Sequence, residues 1–128
     1  MMKNLPAKFP LLSILALGVF FASCQQEVSP SGELPAISFN QKVMPIIAAG
    51  CTASGCHGAE RTEEFTLLSY DDVMRHGDVK AGDTRGSKIY GVITTPTGAV
   101  MPPPPNEPLS DEQIALVYLW ILQGAKNN

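Results

Sequence analysis

The chain is poor in charge and has no concentration of positive charge. Nine Lys and Arg stand against twelve Asp and Glu in 128 residues, and charged residues make up 16% of the whole. A nucleic-acid surface needs a basic patch or stripe, so no nucleic-acid partner is expected, and no acidic substrate. No internal repeat is present, which excludes a stacked-repeat architecture, and no segment reads as a strand. The glycines at 77, 82 and 86 lack the preceding strand and following helix of a phosphate-binding loop, so they read as turns. Histidine is scarce: there are two, His57 and His76, and neither pairs with an Arg in a way that suggests acid–base chemistry.

A long apolar run is missing as well. Leu11 to Phe21 is apolar but too short for the roughly 20 residues of a membrane-spanning helix. With Lys3 and Lys8 before it, the run reads as the core of an export signal. Phe21-Ala22-Ser23-Cys24 then resembles a bacterial lipobox, with Phe21 in place of the usual Leu. The expectation is a signal segment 1–23, acylation of Cys24, and a periplasm-facing, lipid-anchored protein of the bacterial envelope. The alternative is ordinary cleavage after Ala22 or Ser23, which leaves a thiol. Residues 24–37 carry Pro30, Gly32 and Pro35 and no apolar period, so they read as a linker. About 105 residues remain after cleavage, enough for one small domain, 38–128. Without Lys3 and Lys8, seven basic and twelve acidic residues give a net charge of −5. Membrane attachment would thus rest on the lipid.

Cysteine is also scarce, which makes its placement informative. Of three, one is Cys24, and the other two fall in Cys51-Thr52-Ala53-Ser54-Gly55-Cys56-His57. Adjacent Cys-His with a second Cys upstream is what covalent haem attachment needs: two thiols for the vinyl groups and an imidazole for the iron. The usual spacer is two residues. Here it is four, all small or flexible, which could loop out. Alternatively Cys56 alone bonds the haem and Cys51 stays a thiol. Three further readings remain: a Cys51–Cys56 disulfide closing a surface loop, a zinc site completed by His76, or a redox dithiol.

Helical signals dominate the remainder. Ser38 caps a first helix with Phe39, Val43, Ile46 and Ile47 on one face, kinked or restarted at Pro45 and ended by Gly50. Residues 58–66 read as a polar, solvated loop with Glu60, Arg61, Glu63 and Glu64. Ser69 starts a short helix stopped by Gly77, and Ser87 caps another with Ile89, Tyr90 and Ile93 on one side. Residues 94–109 are irregular and hold Met101 followed by Pro102 to Pro105. Proline rigidity would hold Met101 at low entropic cost, although the run could equally be a polyproline recognition segment. Ser110 and Gln113 form a capping box for the last helix, with Asp111 and Glu112 at its positive end. Its apolar face is Ile114, Val117, Tyr118, Ile121 and Leu122; Leu116, Leu119 and Trp120 widen it to burial on more than one side.

A helix ending in Cys…Cys-His-Gly, short middle helices, a Met-Pro loop and a last helix from Leu-Ser-Asp-Glu-Gln-Ile to Trp-Ile-Leu-Gln-Gly-Ala resemble a small c-type cytochrome over residues 38–126. The resemblance implies an all-α domain of about four helices around one haem c. It implies thioether bonds at Cys51 and Cys56, His57 as proximal ligand and Met101 as distal ligand. It also implies that the first and last helices, with Phe39, Val43, Tyr118 and Leu122, pack together. The implied activity is electron transfer with redox partners of the envelope; two strong-field ligands would leave the iron no open site, so no catalysis and no small-molecule substrate are expected. His76 is the other candidate distal ligand, and an open-site haem sensor or a haem-free interaction module are the rival functions. The acidic residues Glu60, Glu63, Glu64, Asp71 and Asp72 are either a solvated surface or a patch that steers a basic partner.

Overall fold

Ser38 opens the first helical segment among the described residues. Its hydroxyl accepts from the Gln41 amide, and one turn of π-helix, Phe39–Val43, follows. This turn feeds directly into helix α1, Met44–Cys51, with Pro45 in its first turn. Pro45 has no N–H and its ring excludes the Gln41 carbonyl. The turn ahead of it widens accordingly, and the Met44 amide reaches back five residues to the Phe39 carbonyl. The expected restart at Pro45 is thus a π-to-α junction. Helix α1 does not stop at Gly50: it runs through Cys51 and is capped at Thr52, whose Oγ1 donates to the Ala48 carbonyl at 2.8 Å.

Three further helices follow: α2, Tyr70–His76; α3, Lys88–Thr94; and α4, Asp111–Leu122. The computed structural model describes residues 34–60 and 63–128. Among these there is no strand, and the domain is all-α; one isolated antiparallel bridge joins Lys80 and Asp83. The expected signal segment 1–23, Cys24 and most of the expected linker 24–37 lie outside the described residues. Helix α2 is capped by Ser69 and closed by Gly77, and α4 carries the full capping box of Ser110 and Gln113. Ser87 stands at the N-cap position of α3 but makes no cap bond. Its buried hydroxyl instead accepts from the Lys80 amide at 2.9 Å and donates to the Asp83 carbonyl at 2.8 Å, tying the preceding loop to the helix.

The core forms where the first helical segment, α2, α3 and α4 meet. Phe39, Val43, Ile47, Val73, Ile89, Ile93, Val117, Trp120 and Ile121 are all buried. Three aromatic rings join the elements: Phe39 lies 5.2 Å from Trp120 and 5.1 Å edge-on from Tyr70. The first and last helical segments do pack together, but Tyr118 and Leu122 are not the contact: they are 37% and 48% exposed. The buried stripe of α4 is Val117, Trp120 and Ile121, the helix face set by a period of 3.6. Leu116 and Leu119 are half-buried flanks, so α4 is buried along one side only. Tyr118 instead meets Tyr90 of α3 at 5.7 Å.

Residues after α4 hold the domain shut. Trp120 Nε1 donates to the Lys126 carbonyl at 2.9 Å, and the Tyr70 hydroxyl donates to the Ala125 carbonyl at 2.8 Å. The amides of Phe39 and Asn40 both donate to Asn128. Upstream, the Ile37 amide donates to Gln123 Oε1 at 2.7 Å, so contact with α4 already begins before the first helical turn.

Candidate functional site

The Cys-His segment leaves the C-terminal end of α1 in a tight reversal. The His57 amide donates to the Cys51 carbonyl at 3.0 Å, and the Cys56 amide to the Ala53 carbonyl at 2.9 Å. Between them the spacer bulges outward: Ala53 and Ser54 are exposed, and Gly55 adopts φ +81°, a conformation that glycine takes without steric cost. Gly58 is buried against the Thr52 carbonyl, which a Cβ at that position would strike. Small residues therefore let both ends of the reversal approach closely.

His57 is 8% exposed. Its carbonyl accepts from the Leu67 amide at 2.8 Å. Its ring is held by Phe65 in two ways. The Nδ1 atom lies 3.2 Å from the Phe65 carbonyl, and the two rings stack at 4.4 Å with 12° between their planes. A carbonyl can only accept, so Nδ1 carries the proton. In the neutral imidazole that leaves Nε2 as the lone-pair nitrogen, the arrangement of a metal-ligating histidine whose other nitrogen is oriented by a carbonyl.

A cavity of about 450 Å³ brings Cys51, Cys56, His57, His76 and Met101 to one lining. Most of the rest is apolar, including Leu67, Ile89, Val92, Ile93 and Ala99. That volume lies within the range of cofactor sites. Met101 reaches it because its amide donates to the Val92 carbonyl at 2.9 Å, pinning the irregular 95–110 stretch to α3, and Pro102 is buried beside it. Among the described residues, Lys88 is the one Lys or Arg of the lining, which also includes Glu63 and Glu107.

The two thiols are not joined. Burial pushes the Cys51 thiol up to about 11 from an ordinary 9.0, with repulsion from Cys56 adding to it. Cys51 is thus a neutral thiol at neutral pH. Among the described residues, no three His, Cys, Asp or Glu side chains form a metal-binding group, so the zinc reading has no donor set of its own. A porphyrin supplies four nitrogens itself and asks the protein only for axial donors and an apolar slot. Of the side chains lining this largely apolar cavity, His57 and Met101 are of the type that can serve as axial donors, and Cys51 and Cys56 of the type that can form thioethers.

Phe65 is the site residue that sequence reasoning passed over, because it sits in a stretch read as a solvated loop. The signal was a lone aromatic after Glu63-Glu64. Of the acidic stretch, Glu60, Glu63, Glu64 and Asp71 are exposed, but Asp72 is not simply part of a solvated face. Its carboxylate accepts from the Leu68 amide at 3.1 Å and from Thr66 Oγ1 at 3.3 Å. Burial works to raise its pKa, but these bonds and those with Ser69 outweigh it and hold the carboxyl below the ordinary value of 3.8.

Comparisons with family models, with curated proteins and with solved structures each return no match to the chain.

Proposed function

We propose that this chain is a single-haem electron-transfer protein of the bacterial cell envelope, with a cytochrome c-like domain anchored through lipid on Cys24. The observation that carries this reading is the state of His57. Its Nδ1 lies 3.2 Å from the Phe65 carbonyl, an orientation that keeps Nε2 of a neutral imidazole available as a donor, on a cavity that Cys51, Cys56 and Met101 also line. Haem c, when bound, supplies one-electron exchange between ferric and ferrous iron.

The residues have distinct tasks. Cys51 and Cys56 would hold the haem through thioether bonds, each the net addition of S–H across a vinyl group with nothing released and no oxidant consumed. His57 would hold the iron through Nε2 and Met101 through its thioether. A thioether paired with an imidazole raises the potential relative to two imidazoles. The apolar lining from Leu67, Ile89 and Ile93 excludes water and keeps the ligand set constant between redox states. Two fixed ligands leave no position for substrate, which suits an electron carrier rather than an enzyme. The exposed carboxylates Glu60, Glu63 and Glu64 suit a basic redox partner.

Expression of the mature domain with a c-type haem maturation system tests this directly. Sharp reduced absorption bands that survive acid–acetone extraction are expected. Met101→Ala should keep the covalent haem but lose the weak long-wavelength band of a methionine-ligated ferric iron. A folded, colourless protein refutes the proposal and favours the disulfide-stapled interaction module.

A further inference from the structure

The Phe65 ring has a second neighbour that the electron-transfer reading does not use. It stacks on His76 at 4.6 Å with 8° between planes, as it does on His57 at 4.4 Å and 12°. Three nearly parallel rings, with Phe65 common to both contacts, therefore line one cavity.

The two holds on His57 restrain different motions. The hydrogen bond from Nδ1 to the Phe65 carbonyl selects which nitrogen is bare. It restrains rotation about the metal-binding direction only weakly, because that axis leaves the ring close to Nδ1 and hydrogen bonds tolerate broad angles at a carbonyl. Stacking restrains the same rotation strongly, since turning the imidazole drives its edges into the Phe65 face. Phe65, however, is borne on a loop. His76 is the last residue of α2, a helix anchored by buried Val73 and by the Tyr70 hydroxyl on Ala125. Gly77 follows it in close contact with the Val73 carbonyl and Ile89, where a Cβ has no room. Thus a helix end backs the loop ring, and the loop ring backs the imidazole.

We infer that Phe65 and His76 are positioning residues that fix the rotational setting of the His57 ring, and that His76 serves as a buttress instead of an iron ligand. The inference rests on the haem reading. In a low-spin ferric haem with imidazole and thioether ligands, the plane of the imidazole together with the setting of the thioether would decide where unpaired spin falls on the porphyrin, and with the thioether unchanged a turn of the imidazole would shift it. The rotational setting is therefore visible in the proton shifts of the haem methyl groups, which a merely structural role would leave alone.

The experiment uses the ferric, haem-loaded protein and compares the parent with Phe65→Leu, His76→Ala and His76→Phe. Phe65→Leu keeps the carbonyl and the apolar bulk while removing the ring. The parent should give one set of widely spread methyl shifts. Phe65→Leu should narrow the spread or add a second set, with covalent haem and low-spin absorption retained. His76→Ala should move the shifts the same way by less, and His76→Phe should return them to the parent pattern, since stacking needs a ring and not a nitrogen. If Phe65→Leu does not fold, the two His76 variants carry the test. Unchanged shifts in Phe65→Leu and His76→Ala overturn the inference while leaving the haem reading intact. Loss of the low-spin state in both His76 variants makes His76 a ligand and also overturns it. A parent that takes up no haem overturns the functional reading itself.

Discussion

Alkylation of Cys51 should be slow in the haem-free polypeptide, and its slowness can be worked out. Its thiol is raised from 9.0 to about 11 by burial and by the neighbouring Cys56. At about pH 8, well below both values, those two units cut the thiolate fraction about 100-fold. The higher pKa also makes each thiolate more nucleophilic, with a Brønsted slope of about 0.4–0.5, which returns roughly 6- to 10-fold. The net expectation is a rate about 10- to 15-fold below that of an ordinary thiol, before any steric shielding. Timed iodoacetamide labelling, read at the Cys51 peptide by mass spectrometry from about pH 7 to 11, measures it against the same peptide in denaturant. The native rate should still be climbing where the denatured control has levelled off. A native profile that overlays the control would refute the burial argument. The linked stability follows the same sign. The folded value is raised, so the contribution is fully present below 9.0 and is lost as pH rises through about 11.

Asp72→Asn should remove stability in the opposite pH range. The folded carboxyl is held below its ordinary 3.8, so its contribution is present above that value and fades as pH falls through the folded pKa. Urea midpoints of parent and variant should differ at neutral pH and converge in acid. Trp120→Ala removes a ring that is 1% exposed and touches Phe39 and Tyr70, and it leaves the Lys126 carbonyl without its donor. A loss of about 3–5 kcal/mol in chemical denaturation is expected. Gly58→Ala should cost the Cys51–His57 reversal, because the new methyl meets the Thr52 backbone, which cannot give way as a side-chain end could. Circular dichroism should show the helices retained, while covalent haem yield falls.

The local signals in the chain map onto elements with defined physical causes. Ser38, Ser69 and Ser110 stand where hydroxyls cap helices, and the Ser110–Gln113 pair closes as a capping box. Pro45 required a break in the first helix, because a residue without N–H cannot continue the ladder. The small residues of the Cys51–Cys56 spacer allowed it to bulge, and it does. All of this is information carried within a few residues, which is why the all-α class and the helix starts were legible.

What the sequence could not decide is which apolar residues face the core and which groups meet at the site. Tyr118 and Leu122 are as apolar as the residues that α4 buries, and only packing against Phe39 and Val43 selects Val117, Trp120 and Ile121 instead. Ser87 looks like a helix cap, but a buried hydroxyl goes where unpaired backbone groups lie, and those belong to Lys80 and Asp83. Residue types in Cys51, Cys56, His57 and Met101 proposed a chemistry. Their arrival on one cavity, nearly 50 residues apart in the chain, comes from the Met101 amide bonding to α3. Phe65 and His76 acquire meaning only there. An aromatic in a polar loop and a histidine at a helix end have no common pattern in sequence, and their stack with His57 exists because tertiary packing closes the loop against α2.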